Sequence, residues 1–215
     1  PWRTFHPGSL VGAATGDGLI HMKTRDVITP DEAGTLAGLF RERVRRSGDA
    51  EAYRYYNPDS GDWESLSWNA MAAQIARWQA ALRREDLDPG DRVALMLRNA
   101  PEWVQFDIAA SGLGLVTVPL YTQDRAENIA YILQNAGVKV LLIGDDEHWD
   151  LLKPVRGELG FLLRILSVRR CRDPGHEPRL QCLDEWLGPA TDAAPAAAVH
   201  VEPLVPDTVA TDVYT

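Results

Sequence analysis

The strongest constraint on how this chain can fold is a series of short apolar runs spaced by helical periods. Residues 92–97 read RVALML, residues 115–118 read LVTV and residues 138–143 read VKVLLI. Each run has the length of a buried strand rather than of a helix. Between the first two, Trp103, Phe106, Ala110 and Leu113 share one helical face. Between the second and third, Ile129, Ile132, Leu133 and Ala136 recur at i, i+3, i+4 and i+7. Strands separated by helices cannot close as tight hairpins. They pair in parallel, and each crossover helix covers one face of the sheet. The predicted fold is α/β: βαβ units with a largely parallel sheet flanked by helices, preceded by a helix and a β-hairpin.

The flanking elements follow from capping and turn chemistry. Thr35 is placed to cap a helix running to about Arg46, with Leu36, Leu39, Phe40 and Val44 on one face and Gly48 as its stop. The aromatic run 52–56 and the return 63–66 bracket Asn57-Pro58-Asp59-Ser60-Gly61, a turn signature, which predicts a hairpin. Ser67 then caps a second helix carrying Met71, Ile75, Trp78 and Leu82, and Pro89-Gly90 closes that region. Asn99 with Glu102, and Asp124 with Glu127, have the spacing of capping boxes. Gly137 stands where a left-handed residue ends a helix. Further on, the pattern predicts a helix at 147–152, a strand at 163–168 and one helical turn at 184–187. The implied organisation is an extended arm (1–34), an α/β subdomain (35–188), an Ala/Pro-rich linker (189–206) and a strand (207–215).

Composition narrows the partners. Asp and Glu number 31 against 22 Lys and Arg, a net charge of −9. Such a field opposes a phosphate backbone, so no nucleic-acid partner is expected. The longest uncharged stretch, 108–123, is interrupted by Gly112, Gly114 and Pro119. It is shorter than the roughly 20 residues of a spanning helix, so no transmembrane segment is expected. Only Cys171 and Cys182 are present, and the first ten residues lack a basic and apolar leader. Both features predict a reducing, cytoplasmic setting.

Most candidate chemistry reads as structure. Gly112-x-Gly114 follows a helix and precedes a strand, the reverse of a dinucleotide fingerprint, and position 117 is Thr rather than a third glycine. Gly12, Gly16 and Gly18 have no strand before them. Cys171, His176 and Cys182 lack the close cysteine pair usual in zinc sites. Arg169, Arg170, Arg172 and Arg179 form the one basic cluster. They read as a solvated loop, with a nucleotide phosphate as the sharper alternative. Trp78 and Trp103 are expected in the core, and Trp63 and Trp68 are expected to pack the hairpin exit. The run Asp145-Asp146-Glu147 suits a helix start.

Three ordered segments carry a resemblance. They are PGDRVALMLRNAPEW at 89–103, VTVPLY at 116–121 and NIAYIL at 128–133, preceded by the helix at 36–46 and the Ser65-Leu66-Ser67-Trp68 entry. In this order and spacing they resemble the N-terminal region of AMP-forming acyl-CoA synthetases, the adenylate-forming ligase superfamily. Val118-Pro119-Leu120-Tyr121-Thr122 looks most like the long-chain fatty acid–CoA ligases. Residues 209–215, VATDVYT, resemble the strand that leads into the family's phosphate loop, which continues Ser-Gly-Thr-Thr-Gly. Asp212 stands where that family usually has an aliphatic residue.

The resemblance implies a two-step reaction. A fatty acid carboxylate attacks the α-phosphate of ATP, with Mg²⁺, to give acyl-adenylate and pyrophosphate. The thiol of coenzyme A then displaces AMP. Of the family's nucleotide-binding residues only Tyr214 and Thr215, at the edge of the phosphate loop, carry over. No catalytic or metal-ligating residue does. The resemblance therefore implies an N-terminal fragment of such a ligase, inactive alone, binding no ligand by itself. It implies a cytoplasmic enzyme, with peripheral association at the inner membrane face compatible with its substrate. It also implies apolar surface exposed on the helices after residue 99. A stand-alone α/β nucleotide- or partner-binding module without catalysis is the competing reading, because the residues themselves show no catalytic constellation.

Overall fold

Alternation within the strands divides the apolar side chains between two layers. The computed structural model describes residues 26–169, 177–188 and 199–215. Its centre is a five-stranded, all-parallel sheet built from β3 (Arg92–Met96), β4 (Val116–Pro119), β5 (Val138–Ile143), β6 (Arg164–Ser167) and β7 (Leu180–Cys182), in the order β4-β3-β5-β6-β7. Val93, Leu95, Val140, Leu142 and Leu166 point to one face. Ala94, Met96, Leu141, Ile143 and Ile165 point to the other. Both faces are covered, as an all-parallel sheet requires.

The first face is covered by α2 (Leu36–Ser47), α3 (Trp68–Leu82), α4 (Pro101–Gly112) and α7 (Leu183–Leu187). Trp78 is fully buried at its centre. Its ring meets Phe106 and Trp186 edge-on at centroid distances of 5.4 and 5.6 Å, and its indole N–H donates to Gln105 Oε1 at 3.1 Å. The second face is covered by α5 (Ala126–Ala136), α6 (Asp146–Leu152) and a 3₁₀ helix (Lys153–Leu159). The hairpin β1 (Glu51–Asn57) and β2 (Asp62–Ser67) pairs antiparallel across the predicted turn.

The two hydroxyl caps are where the sequence puts them. Thr35 accepts from the Gly38 N–H and Ser67 from the Ala70 N–H. Gly137 ends α5 at φ +68°, left-handed. The two proposed capping boxes are not formed. The cap of α4 is Ala100, because Pro101 takes the first helical position, where its missing N–H costs nothing. The cap of α5 is Arg125. Asp124 sits one residue too early and instead accepts from the Arg125 N–H and the Asn128 amide.

Other expectations need correction. The extended arm closes on a helical turn, α1 (Pro30–Ala33), where Thr29 and Glu32 form a true capping box. The strand β7 was hidden in a polar stretch. Trp63 is 63% exposed and stacks edge-on to Tyr56, while Trp68 does pack inward against Phe40 and Tyr53. Trp103 is only partly buried, at the rim of the first layer. On the helices after residue 99, exposure of large apolar side chains is confined to Tyr131 among the described residues. Most of the expected arm, the 189–198 part of the linker, and Arg170, Cys171, Arg172 and His176 lie outside the described residues.

Residues 207–215 do not form a regular strand. They meet the β4 edge at one parallel bridge, Thr117 with Thr211. Thr117 N–H donates to the Ala210 carbonyl at 3.0 Å, and Asp212 N–H to the Thr117 carbonyl at 2.9 Å. The ladder stops on both sides for a local reason. Pro119 has no N–H to offer the next rung, and the Leu115 N–H is already bonded to the Ala110 carbonyl.

Candidate functional site

In a parallel sheet the chain leaves every strand at the same edge. Ligands of such folds sit at that carboxyl edge, where successive connections diverge. Here β3 leads to β4 on one side, while β5, its other neighbour, leads away to β6. The divergence therefore lies beyond β3 and β5, at exposed Arg98 and Asn99 and at the Gly144–Asp145 turn. Asp145 is occupied locally. It accepts from the Glu147 and His148 N–H groups, and its Oδ1 lies 2.7 Å from His148 Nδ1. Burial would raise its pKa, but the hydrogen bonds from His148 outweigh it and hold the carboxyl below its ordinary value.

The terminal segment meets the β4 edge in parallel at Thr211, and Tyr214 and Thr215 follow three and four residues later. Tyr214 is half-buried against the second apolar layer and its hydroxyl donates to Asn135 Oδ1 at 2.7 Å. Thr215 is exposed. Asp212, out of place in an apolar register, is on the open side: its carboxylate lies 3.6 Å from Arg92 Nε. Its charge stays hydrated and partnered, which removes the penalty of burying it.

Two clamps lead the chain to this point. At the first, fully buried Gln79 accepts from the His200 N–H at 2.8 Å and donates to the His200 carbonyl at 2.9 Å. Gly112 lets the segment approach: a Cβ there would lie 2.3 Å from Gln79 Nε2 and 2.6 Å from the His200 carbonyl oxygen. At the second, Thr117 Oγ1 donates to Asp107 Oδ1 at 2.8 Å and lies 3.1 Å from Thr211 Oγ1. Burial pushes the Asp107 carboxyl above its ordinary value, partly offset by the Thr117 hydroxyl. Neither Asp107 nor Gln79 stood out in the sequence. Each reads as one more polar residue on a helix, and its partner is 10 or 121 residues away.

Of the basic cluster, Arg169 is exposed. Arg179 is paired with buried Glu177 at 2.6 Å and also bonds the Leu159 carbonyl, so it is committed rather than waiting for an anion. Cys182 is a free thiol. Among the described residues no three His, Cys, Asp or Glu side chains are grouped to hold a metal. The described residues therefore do not fit a magnesium site. Two grooves beside the terminal segment have volumes of about 160 and 140 Å³. Both are below the roughly 300–1,000 Å³ of a small-molecule pocket. No described helix is long and apolar enough to cross a membrane.

Comparison with known proteins agrees with this fold. The chain is 27% identical over 140 residues to the long-chain-fatty-acid–CoA ligase FadD15 of Mycobacterium bovis, a match covering 65% of this chain and 23% of that one. It is 29% identical over 117 residues to the uncharacterized protein Rv1549 of Mycobacterium tuberculosis, covering 54% of this chain and 65% of the other. The fold superposes on the N-terminal domain of FACL13 from Mycobacterium tuberculosis with a TM-score of 0.65 at 23% identity, over 84% of this chain and 41% of that one. The chain thus spans less than a quarter of the length of the ligase it matches. The model of the AMP-binding enzyme family matches residues 40–215, and the chain belongs to that family.

Proposed function

We propose that these residues are the N-terminal part of a long-chain fatty acid–CoA ligase that works through an acyl-adenylate. The observation that carries this reading is the family match from residue 40 to residue 215, whose relatives include FadD15. The chemistry is activation of a fatty acid carboxylate on the α-phosphate of ATP, followed by transfer to the thiol of coenzyme A. Mg²⁺ is the expected counter-ion of the nucleotide, held by residues other than those described here.

The part played by residues 26–215 is scaffolding. The sheet sets a carboxyl edge, and the two clamps bring Tyr214 and Thr215 toward it, at the threshold of the nucleotide phosphates. By themselves these residues bind neither nucleotide nor acyl-CoA with useful affinity and turn nothing over. The whole enzyme works in the cytoplasm and draws its acid from the inner membrane face without spanning the bilayer.

The test uses the product of the complete gene. Incubated with ATP, Mg²⁺, coenzyme A and a long-chain fatty acid, it is expected to release AMP only when both acid and coenzyme A are present. Absence of AMP with acids of every chain length overturns the reading. Calorimetry of residues 1–215 with ATP or acyl-CoA is expected to give no saturable heat. Tight binding there would favour a free-standing binding module instead.

A further inference from the structure

The terminal segment is held on the β4 edge by only two backbone hydrogen bonds, both at Thr117. β4 has no N–H left to extend the ladder on either side, since Pro119 lacks one and Leu115 has spent its own. Two rungs fix a parallel register weakly, because a slip to a neighbouring rung exchanges few bonds. Side chains must therefore supply the rest. The ones in place form a chain running from helix to strand to terminal segment: the Asp107 carboxylate on α4, the Thr117 hydroxyl on β4 and the Thr211 hydroxyl.

The direction of this chain follows from its donors. A hydroxyl has one proton. A desolvated carboxylate is the strongest acceptor within reach of Thr117, at 2.8 Å against 3.3 Å for the Ala210 carbonyl. Thr117 therefore gives its proton to Asp107, and its oxygen lone pairs face Thr211. Thr211 then donates to Thr117. A one-residue slip would place Ala210 or Asp212 opposite Thr117. The first has no hydroxyl, and the second would bring a second carboxylate toward Asp107.

From this we infer that Asp107 is a positioning residue which, by orienting the Thr117 hydroxyl, selects the register of the terminal segment on β4 and so sets where Tyr214 and Thr215 stand at the sheet edge. The inference deepens the ligase reading, on which the importance of those two positions rests. Asp107 touches no substrate in this role and acts only through Thr117.

Amide hydrogen exchange on the 215-residue chain tests it without any substrate. Thr117→Val and Asp107→Ala are each expected to speed exchange of the Thr117 and Asp212 amides about tenfold, the scale of one lost hydrogen bond, while Leu141 and Leu142 in β5 keep their rates. Thr117→Ser and Asp107→Asn, which keep the donor and an acceptor, are expected to restore both amides to within about twofold of the wild type. Combining Thr117→Val with Asp107→Ala should add nothing beyond either alone, since they break one chain. Should the core variants fail to fold, exposed Thr211→Val reads the same register, with faster Asp212 exchange expected. Unchanged Asp212 exchange, an equal rise throughout β5, or failure of the conservative variants to restore protection each overturns the inference. Because activity is not read, a failed acyl-CoA assay leaves this result standing, and a failed exchange result leaves the ligase reading standing.

Discussion

Trp78 closes the first apolar layer by joining its own helix α3 to two others, through Phe106 and Gln105 on α4 and Trp186 on α7. Trp78→Ala removes the largest fully buried side chain and leaves the Gln105 carbonyl without its donor. Urea unfolding is expected to show a loss of about 3–5 kcal/mol. Gly112→Ala tests closeness rather than volume. Its new methyl meets the Gln79 amide and the His200 carbonyl, so a loss of roughly 1–3 kcal/mol is expected. That loss should come with faster exchange of the Glu202 amide, which donates to Gly112. At this scale the sequence was legible wherever one side chain decides the outcome. Thr35 and Ser67 cap because a hydroxyl directly precedes a helix. Asn99 and Asp124 do not cap because the neighbouring backbone starts the helix one residue later. Asp107 was illegible because its meaning depends on Thr117 and Thr211, which only folding brings near.

Single elements show how charge is handled. On α2, Glu42 is held down to about 2 by hydrogen bonds from Arg45 and Arg46. A depressed carboxylate contributes stability that is fully present above its unfolded pKa and is lost as pH falls toward the folded value. Thermal melts should show this contribution fading from about pH 4.5 toward pH 2, and Glu42→Gln should remove that part of the acid profile. Added salt should weaken the Arg45 part of it more than the Arg46 part, because Arg45 is 67% exposed and Arg46 17%. On α4 the sign is opposite. Burial raises the Asp107 pKa, so its charged form opposes folding above that pKa. The opposition is relieved as pH falls through the raised value toward the ordinary one. The stability of the wild type relative to Asp107→Asn should therefore improve on acidification over that range. A gap that widens instead would contradict the assigned burial of this carboxylate. The longer helices and the strands β3 to β6 were readable from the apolar pattern, whereas the four-residue α1 and the 3₁₀ helix were not. The three-residue β7 was not, because Leu180–Cys182 carries too few apolar residues to mark a period.

For the molecule as a whole, parallel strands fix where chemistry can occur before any catalytic residue is named. The sheet order puts the connections apart beyond β3 and β5. The terminal segment meets the β4 edge in parallel at a single bridge, Thr117 with Thr211. The exposed valines 205, 209 and 213 and Leu36 lie on or near this segment rather than on the helices after residue 99. The α/β architecture was legible because β3, β4 and β5 are buried on both faces and read as nearly continuous apolar runs. The role of the scaffold was legible only through the ordered resemblance, since composition and spacing show no catalytic cluster. The most direct measurement is fatty-acid-dependent exchange of labelled pyrophosphate into ATP by the complete gene product, which isolates acyl-adenylate formation from the coenzyme A step. The account predicts exchange that appears with long-chain acids and vanishes without them; exchange that is absent, or that proceeds equally without any acid, contradicts it.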